Sequence, residues 1–411
     1  MFRTFYNFAI ILYGFGITIA SLFNDKAKLW KNGRKGQWAV IESGFLHKDH
    51  VVWFHCASLG EFEQGRPVIE EYKKRNPECS VLLTFFSPSG YEVRKNYEHA
   101  EKVFYLPLDT RKNVRQFLEL VQPKLVVFVK YEFWYNYLHE LHLKGIPVFL
   151  ISANFREDQW FFKFSGKAFM KMLSFFTHLF VQNERSAMIL KKHGILNCTV
   201  SGDTRFDRVD QIQRQSKKLK IIEEFKNDQT LIVAGSTWRE DEEILIKYIN
   251  EQKPGLKWIL APHEIDETHI QFIFNRLSRP GIRYSECNHA EIKNFDILVI
   301  DNIGLLSSLY GYGEIAYVGG GFGAGIHNVL EPAGYGIPII FGPAYRKFQE
   351  AIDLVELGGG ISIKSYEDFV NRVTALLGSS ESLINTGVIS GDYVQNNKGA
   401  TQAIVHNLLK D

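Results

Sequence analysis

Three short stretches of this chain carry side chains suited to acid–base or anion chemistry. In "FHCASLGEFEQG" (54–65), Glu61 follows an apolar run and a Ser-Leu-Gly turn, at the expected start of a helix. A carboxylate there either complements the helix dipole, worth roughly 0.3–1 kcal/mol, or acts as a general base on an attacking hydroxyl. Glu63 is the weaker candidate, because two residues along a helix it points toward another face. In "KYEFWYN" (130–136), Glu132 follows a second apolar run and is flanked by Tyr131, Phe133 and Trp134. Such surroundings disfavour an unpaired charge, so Glu132 is either a buried acid with satisfied hydrogen bonds or a second functional carboxylate. In "SGDTRFDR" (201–208), Arg205 offers a planar fork to a phosphate or carboxylate, or it pairs with Asp203 or Asp207.

A fourth stretch, "GGGFGAGIHNVLEPAGYG" (319–336), follows an apolar run, and a helix is expected to begin near His327 or Asn328. Free N–H groups at such a start attract anions, and glycines let backbone approach a phosphate. Asn328 and Glu331 would lie in the first turn, in reach of ribose hydroxyls. The spacing is neither GxGxxG nor GxxxxGK[ST], so a nucleotide loop and a plain strand-to-helix turn both remain open.

These residues need elements to position them. "VVWFHCAS" (51–58), "SVLLTFFS" (80–87), "LVVFVKY" (125–131), "IPVFLISA" (146–153), "THLFVQNE" (177–184) and "CTVSGD" (198–203) read as strands separated by amphipathic helices. After the charged stretch 207–228 the alternation restarts with "TLIVAGS" (230–236), "LKWILAP" (256–262), "FDILVID" (295–301), "EIAYVGG" (314–320) and "IPIIFG" (337–342). Alternation of this kind indicates parallel sheets covered on both faces. The expected fold is therefore α/β: two doubly wound, Rossmann-like domains facing each other across a cleft. Ligands of such sheets bind beyond the carboxyl ends of the strands, where the polar residues of this chain gather.

The 411 residues exceed a single core. A net charge of +2, from 48 basic and 46 acidic side chains, offers nucleic acid no global attraction. The four cysteines (Cys56, Cys79, Cys198, Cys287) form no CxxC pair, and the histidines show no metal-binding spacing, so free thiols and no metal are expected. "FAIILYGFGITIASLF" (8–23) is almost wholly apolar and is followed by Lys26, Lys28, Lys31, Arg34 and Lys35. It sits at the margin of a membrane span. The following basic residues would keep the rest of the chain on the cytoplasmic side and attract anionic headgroups. The expected organisation is a membrane-anchor helix with its basic flank at 1–35, an acceptor-binding domain at 36–210, a linker or surface helix at 211–228, and a nucleotide-binding domain at 229–411.

In order, "WFHCASLGE", "FFSPSGYE", "YLPLDT", "YEFWYN", "SGDTRFD", "GSTW" and "GGGFGAGIHNVLEPA" resemble the Kdo (3-deoxy-D-manno-octulosonic acid) transferases, over essentially the whole chain. The resemblance implies a membrane-associated GT-B glycosyltransferase of lipopolysaccharide synthesis at the cytoplasmic face of the inner membrane. Its donor would be CMP-Kdo and its acceptor a lipid A precursor, with no cofactor and no metal. It makes Glu61 the base, and Glu132 and Arg205 groups that stabilise the transition state. Donor contacts would come from Ser236, Arg239, Pro262, His263, Gly304, Leu305, Gly321, Asn328, Val329, Leu330 and Glu331. Two departures stand out. "APHEI" lacks the arginine of the family's Pro-Arg-His, a charge that Arg239 is expected to supply instead, and Leu305 replaces an acidic residue. Another membrane-associated GT-B transferase, a GT-B-fold sugar-nucleotide epimerase and a non-catalytic nucleotide-binding protein are the competing readings. Oligomeric state is left open.

Overall fold

The computed structural model describes residues 2–45, 50–163, 166–216, 218–252 and 255–410. They form two compact units, Met1–Arg208 with Lys398–Asp411, and Val209–Asn397. The sequence places 229–411 together in one C-terminal domain; the structure instead returns the last helix, Ala400–Leu408, to the first unit. Its Ile404, Val405 and Leu408 are buried there among Val68, Ile69 and Phe180, and Asp207 accepts from the N–H groups of Gly399 and Thr401.

The first unit carries β1 (Val51–Cys56), β2 (Ser80–Phe85), β3 (Lys102–Tyr105), β4 (Leu125–Val129), β5 (Val148–Ala153), β6 (His178–Val181) and β7 (Cys198–Val200). The second carries β8 (Thr230–Thr237), β9 (Leu256–Pro262), β10 (Gly281–Arg283), β11 (Ile297–Val299), β12 (Ile315–Val318), β13 (Ile339–Phe341) and β14 (Gly360–Ser362). Each set makes one parallel seven-stranded sheet, ordered β3-β2-β1-β4-β5-β6-β7 and β10-β11-β9-β8-β12-β13-β14. Every residue of β1, β2, β4 and β5 is buried, as unalternating apolar strands require when helices cover both faces. Strand order reverses between β1 and β4 and between β8 and β12, and at such points doubly wound sheets leave a crevice for ligands. All four cysteines are free thiols.

The apolar N-terminus is a helix, Phe2–Ala20, long and apolar enough by composition to cross a membrane. One stripe is nevertheless held by the first unit. Arg3 donates to Glu140 at 3.2 Å, Tyr6 to Asp109, and Asn136 to the side-chain oxygen of Asn7 at 2.8 Å. The opposite stripe, with Phe5, Phe8, Leu12, Phe15 and Ile19, is exposed. Arg34 does not join the exposed basic flank. Its guanidinium stacks on Trp30 and Tyr105 and donates to the carbonyls of Leu106, Trp30 and Phe86, and burial pulls it down to about 9.

Candidate active site

In the first sheet the two candidate carboxylates follow adjacent strands. Glu61 is the third residue of the helix Leu59–Arg75, which starts three residues after β1. Its Oε2 accepts the backbone N–H of Ser58 at 3.0 Å, so it does cap the helix. Capping and base are compatible, because a carboxylate keeps other lone pairs. Burial, and then the neighbouring charge of Glu132, raise Glu61 to about 7, while Lys130 and the backbone N–H groups of Ser58 and Ala57 pull it down. A carboxyl titrating near neutrality is suited to accept a proton at physiological pH. Glu63 faces elsewhere and is occupied, 2.8 Å from Arg94 and 3.4 Å from Arg208.

Glu132 lies three residues past β4 and is partly buried. Its Oε2 accepts from Trp134 Nε1 at 2.7 Å and lies 3.2 Å from His55 Nε2. The aromatic flank that makes a bare charge costly therefore also supplies a donor. Lys130, just after β4, holds a left-handed backbone (φ 65°) that a lysine seldom adopts. Arg205 is drawn to Asp203, which it meets through both Nε (2.8 Å) and Nη2 (2.7 Å). Asp207 is instead the cap of the C-terminal helix. Thr204 fixes this segment by donating to the carbonyl of Gln64, on the helix that bears Glu61.

In the second sheet the candidate residues follow four neighbouring strands, in the order β11-β9-β8-β12. Ser236 forms a bulge in β8 with φ 53°, a device that re-aims side chains next to sites. Pro262 ends β9, and His263 follows it with its ring stacked on Trp238 at 4.6 Å. His327, after β12, completes the group: Trp238 Nε1 donates to its Nε2 at 3.0 Å, and its ring lies 4.5 Å from that of His263. Burial, then His263, holds His327 below its ordinary value. Trp238 and His327 are absent from the donor contacts that the resemblance implies, and His327 is named from sequence only as a helix start. Both stand inside quoted motifs, but only the fold shows that they stack.

The glycine loop is largely self-bonded. The amides of Gly319, Gly320, Gly323, Gly325 and His327 all donate within the unit, that of Gly320 to buried Asp241. Asp241 also accepts from Trp238 N–H and the Tyr317 hydroxyl, so one carboxylate ties the loop to the aromatic group. A Cβ on Gly321 would lie 2.6 Å from Gly342, so glycine there serves close packing. The expected helix begins at Leu330, not at 327 or 328, and has five residues. Asn328 is exposed and Glu331 lies 3.1 Å from it, but Val329 and Leu330 are wholly buried. Any ligand contact from those two must use backbone. Leu305 packs against the apolar core and leaves only backbone near Gly304. Arg239 opens the helix Arg239–Glu251 and lies 5.2 Å over the ring of Phe272. Among the described residues Glu264, Asp266 and His269 could also converge on a metal ion, but His269 Nε2 is bonded to buried Glu242 and Asp266 caps a helix.

Two seven-stranded Rossmann-like sheets, each with its polar groups at the carboxyl rim, define the GT-B class. The solved structure of a UDP-GlcNAc 2-epimerase from Neisseria meningitidis shares that fold, with a TM-score of 0.62 over 88% of this chain and 100% of its own, at 16% identity. Residues 32–208 match the family model of the 3-deoxy-D-manno-octulosonic-acid transferases. A 3-deoxy-D-manno-octulosonic acid transferase of Aquifex aeolicus is 32% identical over 80% of this chain and 86% of its own. The Haemophilus influenzae counterpart is 28% identical over 100% and 98%. The chain belongs to the 3-deoxy-D-manno-octulosonic acid (Kdo) transferase family and is a glycosyltransferase.

Proposed function

We propose that this protein transfers Kdo from CMP-Kdo to a lipid A precursor in lipopolysaccharide synthesis, without a metal, at the cytoplasmic face of the inner membrane. The observation that carries this reading is Glu61: a half-buried carboxyl beside a second carboxylate, at the switch point of the first sheet, in a chain of this family. Glu61 takes the proton from an acceptor hydroxyl as that oxygen attacks the anomeric carbon, and CMP leaves from the opposite face with inversion. Glu132 and Arg205 stabilise charge as the bond to CMP breaks. The bulge at Ser236, the Trp238–His263–His327 group, Gly304, Leu305, Gly321 and the segment Asn328 to Glu331 bind the nucleotide. Arg239 supplies a positive charge where the family's arginine is missing, and it does so by leaving Phe272.

The N-terminal helix lies in the membrane surface and does not span it. Three polar side chains of one stripe are bonded to the first unit, and the other stripe is apolar and exposed. A spanning helix would strip buried Asp109 of its hydroxyl donor and draw Arg3 across the bilayer, away from Glu140. Lys26, Lys28 and Lys35, all exposed, then face anionic headgroups.

The test is a transfer assay with purified protein, CMP-Kdo made in situ and a lipid A precursor, with chelator present. Transfer by the wild type that is lost in a folded, CMP-binding Glu61→Ala variant supports donor, acceptor and base together. A folded wild type that binds CMP and transfers nothing refutes the acceptor.

A further inference from the structure

Strands β1 and β2 pair in parallel with His55 opposite Thr84, and Trp53, two residues before His55, shares its face. All three side chains are wholly buried, so their polar atoms must find partners inside, and each choice fixes the next. An indole N–H can only donate, so Thr84 Oγ1 accepts from Trp53 Nε1 at 2.8 Å. Thr84 has one proton of its own to give. Its two acceptors are His55 Nδ1 at 2.8 Å and the carbonyl of Phe54 at 3.5 Å, and the short contact takes it. Nδ1 is then an acceptor, and the ring proton sits on Nε2, 3.2 Å from Glu132 Oε2. The opposite tautomer would set a nitrogen lone pair against a carboxylate oxygen. A doubly protonated ring would still aim Nε2–H at Glu132.

We propose that His55 is a positioning residue of the transfer reaction: its Nε2–H fixes the orientation of the Glu132 side chain beside Glu61. This rests on the reading of Glu132 as part of the transfer site. Two N–H donors, from His55 and Trp134, converge on Oε2, which limits the rotamers open to the side chain. Oε1 is left to meet the reacting groups. A histidine that merely filled the core would have no need to aim its donor outward. This one links a sealed layer to a carboxylate that keeps 14% of its side chain exposed. Glu132 is also the group that, after burial, most raises Glu61.

The test has two arms, both on the full chain in detergent. In the first, the protein is labelled with [15N]histidine, and the His55 signals are identified by their loss in His55→Gln. A protonated Nε2 is expected, and an unprotonated Nε2 overturns the proposal whatever the activity. In the second, steady-state transfer is compared across variants. His55→Leu is expected to lower kcat by about tenfold to hundredfold, the range seen when the hydrogen-bond partner that orients a metal ligand is removed. The KM for donor stays within about twofold, because an interaction made chiefly in the transition state is lost. His55→Gln, which returns an N–H near the position of Nε2, is expected to recover most of the rate. Wild-type kcat in His55→Leu, a loss confined to KM, or equal loss in both variants overturns the proposal. Should His55→Leu not fold, the labelling arm and His55→Gln still decide. A wild type with Nε2 protonated that transfers no Kdo would refute the functional reading and leave the His55 assignment intact.

Discussion

The hydroxyl of Tyr6 donates to Asp109 Oδ2 at 2.6 Å, and the same carboxylate accepts the backbone N–H groups of Asn136 and Tyr137. Those two amides open the helix that follows the Glu132 segment, so the N-terminal helix and that segment share one buried anchor. Burial pushes Asp109 up to about 7 even with three donors on it. Removing a donor should therefore be costly.

Tyr6→Phe keeps the ring and deletes only the hydroxyl. It is expected to destabilise the protein by about 1–3 kcal/mol, the cost of leaving a buried acceptor short of a partner, read from denaturant unfolding. Phe5→Ser with Phe15→Ser, on the exposed stripe, should leave unfolding unchanged and weaken binding to anionic vesicles. Unchanged vesicle binding would refute the in-plane membrane role.

The pH dependence of transfer follows from Glu61. A base must be deprotonated, so kcat/KM is expected to rise with pH through about 7 and level off above it. Glu132→Gln removes a cause of that elevation second to burial, so its residual activity should show the same limb displaced to lower pH, though still above the ordinary carboxyl value. Glu61→Gln should lose about 10²–10⁴-fold, the usual contribution of general-base catalysis. An unshifted limb in Glu132→Gln would separate the two carboxylates.

Nucleotide binding is expected to need the stacked group of the second unit. Trp238→Leu removes the ring that holds both His263 and His327. CMP affinity measured by calorimetry should fall by roughly tenfold, in line with about 0.5–1.5 kcal/mol for an aromatic pair. Arg239→Ala should weaken CMP binding and flatten its salt dependence. If only the stack matters, that variant will bind like the wild type.

Gly321→Ala tests whether the glycine loop is built for packing. The added methyl would meet the backbone of Gly342, which cannot swing aside as a side-chain tip can. A loss of about 1–3 kcal/mol in stability is expected, with CMP affinity falling only as far as the loop is displaced.

The buried middles of both sheets were legible in the sequence because parallel strands covered on two faces read as continuous apolar runs, as β1 and β4 do. The strands β3, β10 and β14 were not, since each is a three- or four-residue edge strand too short to show a period. Helical spacing set Glu63 on a different face from Glu61, but the arginines that occupy Glu63 lie 31 and 145 residues away and are brought there by folding alone. The partners of Glu132 and Trp238 were hidden for the same reason: His55 reaches its place through a strand register, and His327 through a loop after a different strand. Arg34 was misplaced because a run of lysines made it look like one more surface charge.

The return of residues 400–408 to the first unit has a consequence for biosynthesis. Ile404, Val405 and Leu408 leave the ribosome only after all of the second unit, yet they complete a core begun with β1. Domains usually finish folding in the order they are made. Here the earlier one must wait, holding Val68, Ile69 and Phe180 incompletely covered while its neighbour forms.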